Sequence, residues 1–193
     1  IGSEPDSPSL LIKVDAEAGS QGWTRVNRSA GVGAFTELGL TFNPPQANTL
    51  SEVILSALNM MQLIPGDEIG LVLPAFQGSD RCVTFNSPTE DFPFDTVCWT
   101  SKEFRFVLRV AITVPRLTDL HIVIPTSVGV SLPIAGLTKD DSSMTISANA
   151  TFGNVVSTSI LNSPAVGVVY SSSLSFEPDD AGQPSKIALK FVL

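Results

Sequence analysis

Basic side chains, and charge in general, are scarce in this sequence. Of 193 residues only 16% are charged, and 11 Lys and Arg stand against 19 Asp and Glu, which gives a net charge of −8. Nucleic-acid binding needs clustered cations to neutralise phosphates, so the composition predicts no nucleic-acid partner. An apolar fraction of 43% with so little charge also excludes intrinsic disorder. The sequence therefore predicts an ordered protein that binds neither DNA nor RNA.

Long apolar runs are missing too. The stretch 128–137 is among the longest, and Ser131 and Pro133 interrupt it. A membrane-spanning helix needs roughly 20 consecutive apolar residues. We therefore expect no membrane insertion.

Cysteine is limited to Cys82 and Cys98, 16 positions apart in a turn-rich segment. Two thiols at this spacing do not form a zinc site, so either they are unrelated reduced cysteines or they form one disulfide. We favour the disulfide, because the sequons at Asn27 and Asn149 also suit an extracellular protein. The sequence thus predicts a disulfide-bonded glycoprotein outside the cell or on its surface.

Alternation of apolar and polar residues dominates the rest of the chain. Leu38, Leu40 and Phe42 alternate with polar residues or glycine, and Ile187 and Leu189 belong to a similar pattern. This period of two is typical of strands with one buried face. Fourteen Gly and fourteen Pro leave little room for helices. Residues 51–61 could form a capped helix, but we predict a strand there, and an all-β antiparallel sandwich overall.

The chain also repeats itself. Residues 9–59 align without a gap to 143–193, an offset of 134, with 14 identities in 51 positions. We interpret this as tandem repetition: residues 1–28 end one unit, 29–162 form a full unit and 163–193 begin the next. Because the second copy stops within a strand pattern, we expect a piece of a longer array. The rival interpretation is one pseudo-symmetric domain that uses the motif twice.

Three stretches carry a family resemblance: GDEIGLVLP at 66–74, VSLPIAGL at 130–137 and MTISANA at 144–150. With the 134-residue period, they resemble the immunoglobulin-like sandwich repeats of very large secreted or surface proteins, including algal and protist ones. The resemblance implies a modular role in a filament, cell wall or adhesin, without catalysis. The expected partners are neighbouring repeats or copies of the same chain.

Residues with the chemistry of an active site are few. His121 is the single histidine, and no Gly-x-Ser-x-Gly, His-Glu-x-x-His or phosphate-loop motif occurs. The acidic pair Asp179–Asp180 aligns with Pro45–Gln46, so a metal site at this pair does not recur in the repeat. We expect no catalytic residue, no metal and no cofactor.

The aromatic residues around the cysteine loop suggest a second function. Phe92, Phe94 and Trp99 could form an exposed platform for a glycan or another surface protein. The first function hypothesis is a non-enzymatic structural or adhesive module. The alternatives are a carbohydrate- or ligand-binding module that uses this platform, and a glycan-active enzyme with two carboxylates in a cleft.

Overall fold

The computed structural model describes residues 10–27, 33–89, 91–167, 171–178, 180 and 182–192. Among these residues the structure has thirteen strands, one short 3-10 turn at Thr126–Val128 and no α-helix. The strands are β1 Leu11–Ala16, β2 Gly19–Arg25, β3 Phe35–Asn43, β4 Glu52–Asn59, β5 Glu68–Val72, β6 Arg81–Thr84, β7 Phe94–Thr100, β8 Arg105–Val110, β9 Thr118–Ile124, β10 Thr145–Asn149, β11 Val155–Ser159, β12 Ser171–Glu177 and β13 Lys186–Val192. The predicted all-β class is confirmed.

Two antiparallel sheets build the centre of the molecule. One has six strands in the order β11-β10-β5-β8-β7-β6, and the other has three in the order β3-β4-β9. The period-two pattern explains why one face of each sheet is buried: in β8, for example, Phe106, Leu108 and Val110 are buried while the residues between them are not. Both sheets contribute to one apolar cluster, as in a β-sandwich.

The buried core extends along the chain from Phe35 to Val166. This stretch is close in length to the predicted unit 29–162, although both of its limits lie a few residues later. The two remaining hairpins, β1–β2 and β12–β13, form separate two-stranded sheets and add no residue to the core. The division of the chain into 1–28, 29–162 and 163–193 stays a prediction.

The first hairpin has the same strand pairing as its repeat counterpart. Ile12 pairs with Thr24 in β1–β2, and Ile146 pairs with Thr158 in β10–β11, 134 positions later. The register then shifts between Ile12 and Val14 in the first copy and between the corresponding residues of β10 in the second. The backbone of this hairpin therefore recurs together with its bulge.

The second hairpin matches its counterpart equally well. Phe42 pairs with Val53 in β3–β4, and Phe176 pairs with Ile187 in β12–β13. The loop between the strands is shared too. The Ser51 hydroxyl donates to the Pro44 carbonyl at 2.9 Å, the equivalent Ser185 bond is 2.7 Å, and the peptide bond before the shared proline is cis in both copies. Within the described residues, the two pairs of aligned hairpins therefore share their strand register.

Two expectations about strands have clear outcomes. Residues 51–61 contain β4 rather than a helix, as predicted. The alternation of apolar residues with Phe106 and Leu108 predicts that Phe104 lies in the core, but Phe104 instead ends a turn with a φ of 49° and is 42% exposed. The turn closes through a bond from the Phe104 amide to the Ser101 carbonyl, so the strand and its alternation begin one residue later.

The strand order limits the likeness to immunoglobulin domains. Counted from β3, the second strand of the sandwich (β4) pairs with the seventh (β9). In the immunoglobulin arrangement the second strand pairs with the fifth, and a disulfide joins the two sheets. Here Cys82 and Cys98 lie on neighbouring strands of one sheet. The resemblance is therefore one of two-layer architecture.

Candidate functional sites

The predicted aromatic platform lies mostly inside the protein. Phe94 is fully buried, and Trp99 is 1% exposed, with its ring 4.7 Å from that of Phe106. The indole Nε1 of Trp99 donates to the Gly78 carbonyl at 3.2 Å, which satisfies its polar atom within the fold. The expectation that Phe94 and Trp99 form a contact surface is therefore corrected: both rings belong to the core.

Phe92 has an intermediate position. It is half-buried, with its ring 4.7 Å from Phe85 and 5.5 Å from Phe94 in tilted and edge-on arrangements. These contacts hold the 85–94 loop against the sandwich and cover the end of β7. One partly exposed ring does not make the flat surface that sugar stacking requires.

The predicted disulfide is confirmed. Cys82 in β6 and Cys98 in β7 are direct partners across the antiparallel pair, and their sulfur atoms are bonded. The pair lies towards solvent, opposite the buried face that carries Val97 and Trp99. The bridge fastens the edge hairpin of the six-stranded sheet. It is typical of proteins from oxidising compartments.

The two predicted glycosylation sites are both exposed. Asn149 ends β10, and Asn27 follows β2. The next two residues of the first sequon, Arg28 and Ser29, lie outside the described residues. In the second sequon, the Thr151 hydroxyl donates to a carboxylate oxygen of Asp67 at 2.9 Å. Attachment of sugars at either position stays a prediction.

Asp67 is a structurally important residue that sequence reasoning did not identify. Its side chain is buried, and Oδ2 accepts a bond from the Ile64 amide at 2.9 Å. Oδ1 accepts both the amide and the hydroxyl of Thr151, each at 2.9 Å. The sequence Pro65-Gly66-Asp67 signals a turn, but nothing in it indicates a partner 84 positions away.

His121 and several carboxylates line two small pockets beside β9. One pocket, of about 200 Å³, includes Asp91, Asp119 and His121. The other, of about 320 Å³, includes Glu37, Asp119 and His121. His121 is exposed and pairs with Ser56 across the sheet, as expected for a strand histidine that faces solvent. Among the described residues that line these two pockets there is no Cys or Lys, and Ser56 is the one residue with a hydroxyl group.

No cluster of three or more His, Cys, Asp or Glu side chains suited to a metal ion occurs among the described residues. In the same part of the chain, no helix has the length and apolarity to cross a membrane.

Both hairpins carry large apolar side chains that are exposed. In β12–β13, Leu189 is 62% exposed, whereas the equivalent Leu55 in β4 is completely buried. In β1, Ile12 is 53% exposed, whereas Ile146 in β10 is completely buried. The same apolar repeat positions are thus buried in the complete sandwich and exposed in the two hairpins. No family model, curated protein or solved structure matches this chain.

Proposed function

We propose that this protein is a non-enzymatic structural module: a link in a tandem array of β-sandwich units that forms an extracellular filament, wall or surface appendage. The observation that carries the proposal is the equivalence of the two hairpins with parts of the complete sandwich. Each hairpin has the strand register of its counterpart but lacks the strands that bury its apolar face.

The repeat alignment identifies the strands that the two hairpins lack. In the complete sandwich, β4 pairs with β9 and β10 pairs with β5. In β12–β13 and β1–β2, the corresponding edges have no such partner among the residues that the structure describes. An isolated two-stranded hairpin is marginal in water, so both hairpins require more protein to be stable. On this proposal, β1–β2 closes the preceding unit and β12–β13 opens the following one.

The surface chemistry supports a structural role outside the cell. The Cys82–Cys98 bridge fits an oxidising compartment, and the exposed sequons at Asn27 and Asn149 would carry sugars there. A net charge of −8 favours solubility and disfavours binding to anionic surfaces. The partners on this proposal are neighbouring units of the same kind.

The carbohydrate-binding alternative loses its main support. Two of the three rings of the expected platform, Phe94 and Trp99, are core residues and cannot stack on a sugar while the sandwich is folded. A glycan-active site would need a pair of carboxylates placed about 5–10 Å apart across a substrate cleft. No observation on this chain favours either alternative over the structural module.

A chain extended by one repeat tests the proposal. It is made by inserting a second copy of residues 33–166 after Val166, which keeps the offset of 134 intact. We expect the inserted copy of β3–β4 to be as protected from hydrogen exchange as the original, because its own β9 and β5 equivalents now cover it. The matched reference is β12–β13 in the unmodified chain.

Either of two results would contradict the tandem proposal. If the inserted unit exchanges like an unfolded chain, or if the extended protein shows only one folded sandwich by calorimetry, units do not join at this register. The tandem proposal then fails, and the single pseudo-symmetric domain becomes the better interpretation of the repeat.

A further inference from the structure

The core of the sandwich ends at Val166, and the next hairpin begins with β12 at Ser171. Val166, the last residue of the core, forms a two-bond bridge with Leu137: the amide of each donates to the carbonyl of the other, at 2.8 and 2.9 Å. Gly167 follows directly. A Cβ on Gly167 would lie 3.0 Å from the Cβ of Ala47, and a Cβ on Gly136 would lie 3.2 Å from the Gly167 carbonyl carbon. Gly167 is therefore held against two loops of the completed sandwich.

The repeat equivalent of Gly167 is Gly33, and it has a contact of its own. Both glycines have a left-handed backbone, with φ of 63° and 59°, a conformation that favours glycine. A Cβ on Gly153 would lie 2.9 Å from the Cα of Gly33. Ala34, the next residue, is buried. The same repeat position thus touches the Gly136 loop of the sandwich that ends there and the Gly153 loop of the sandwich that begins there.

Each of these two loops carries a large exposed apolar side chain. Ile134 lies in the turn that closes through the Gly136 amide and the Pro133 carbonyl, and it is 69% exposed. Phe152, beside Gly153, is 55% exposed. The Gly136 loop adjoins Gly167, where the unit ends, and the Gly153 loop adjoins Gly33, where the unit begins.

We propose that successive units dock directly on each other through these two loops, with Ile134 of one unit against Phe152 of the next. This inference rests on the tandem array of the proposed function and identifies the partner as a second copy of the unit. Because the core of the unit runs from Phe35 to Val166 and the repeat offset is 134, two residues separate one core from the next in the array. So short a connection makes the array stiff.

Burial of apolar surface explains why the docking is favourable. An isoleucine and a phenylalanine that are both more than half exposed would leave water together when the units meet. The junction glycine allows the close approach, because any Cβ there would meet Ala47 at 3.0 Å.

Disulfide trapping in the extended chain tests this contact. In the chain with a second copy of residues 33–166, Ile134→Cys is placed in the first unit and Phe152→Cys in the second. The control chain reverses the units, with Phe152→Cys in the first and Ile134→Cys in the second, which lie at the outer ends of the pair. In each unit the two natural cysteines are bonded to each other, so the new thiols are the reactive ones.

We expect mild oxidation to form an internal disulfide in the first chain, seen as a shift in non-reducing electrophoresis and the loss of two free thiols, and no internal disulfide in the control. Equal trapping in both chains, or none in either while both units show protected amides, would overturn the docking contact and leave the tandem array intact. Failure of the second unit to fold would instead count against the array itself.

Discussion

The Asp67 carboxylate joins two loops to the buried sandwich. It is almost completely buried and accepts three hydrogen bonds, from Ile64 and Thr151. Removing a buried charged acceptor leaves its donors without partners. We expect Asp67→Ala to lower the free energy of unfolding by about 3 kcal/mol. Urea denaturation followed by the fluorescence of the buried Trp99 measures this loss.

The neighbouring Glu68 provides the control for that experiment. It has the same charge and begins β5 directly after Asp67, but its side chain is exposed. Glu68→Ala should therefore change the free energy of unfolding by less than about 0.5 kcal/mol. Equal losses in the two variants would contradict the role assigned to the Asp67 bonds.

Asp80 gives a prediction about pH. The side-chain hydroxyl and the amide of Ser101 both donate to its Oδ1 at 2.6 Å. These bonds lower the pKa of Asp80 from its ordinary value of 3.8. Because the folded pKa lies below the unfolded one, the stabilisation is fully present above pH 3.8 and is lost as the pH falls through the folded pKa.

The comparison of wild type with Asp80→Asn isolates this effect. The asparagine keeps the shape of the side chain but not the charge, so the wild type should melt at the higher temperature at neutral pH. Their difference in Tm should shrink as the pH falls below 3.8. Thermal unfolding followed by circular dichroism across this range provides the measurement. A difference that is the same at every pH would show that the Asp80 charge contributes nothing.

At the level of strands, alternation predicted most elements but not the faces of β7. The pairing of β7 with β8 shifts between Phe94 and Thr96. An extra residue in one strand reverses which side chains point inward, so Phe94 and Trp99 are both buried although their spacing is odd. A bulge has no reliable sequence signal. The sequence therefore identified the aromatic cluster but placed it on the surface.

The sequence repeat predicted a strand at residues 51–61, where local propensity alone did not decide between strand and helix. Residues 51–61 are compatible with a capped helix, and the strand prediction came from the pattern of the aligned copy, Ser185 onwards. Asp67 stayed unpredicted because its Thr151 partner is distant in sequence. Local patterns specify elements, whereas long-range polar contacts depend on the assembled fold.

A matched pair of substitutions compares one repeat position where its side chain is buried and where it is exposed. Leu55 in β4 is completely buried, and its repeat equivalent Leu189 in β13 is 62% exposed. We expect Leu55→Ala to lower the free energy of unfolding of the sandwich by about 3 kcal/mol, since it leaves a cavity. Leu189→Ala should change it by less than about 0.5 kcal/mol.

Both variants are measured in the full chain by urea denaturation with Trp99 fluorescence. The two substitutions remove the same atoms from equivalent positions, so their difference reports the cover that the rest of the sandwich provides. A large loss for Leu189→Ala would mean that β12–β13 already packs on the sandwich and would count against an open hairpin.

The chain contains a central sandwich. In the sequence, the hairpin β1–β2 precedes it and the hairpin β12–β13 follows it, and both hairpins have exposed apolar side chains. Its core ends at Val166, and the hairpin that follows repeats the start of the same sandwich. On the tandem proposal, this is the order of elements in a segment longer than one 134-residue period. It makes the stability of the chain uneven along its length, which hydrogen exchange can measure directly.

We expect the amides of the sandwich strands to exchange only through global unfolding, whereas those of β1–β2 and β12–β13 exchange by local opening. The comparison is internal, since Leu55 and Leu189 occupy equivalent positions with equivalent strand partners. Burial of one face and the pairing of Leu55 with Ile122 in β9 distinguish them, and an isolated two-stranded hairpin has little stability of its own. The Leu189 amide should therefore exchange orders of magnitude faster than that of Leu55 in the unmodified chain. Equal protection at the two positions would mean that the hairpin face is covered within this chain, and the array would lose the observation on which it depends.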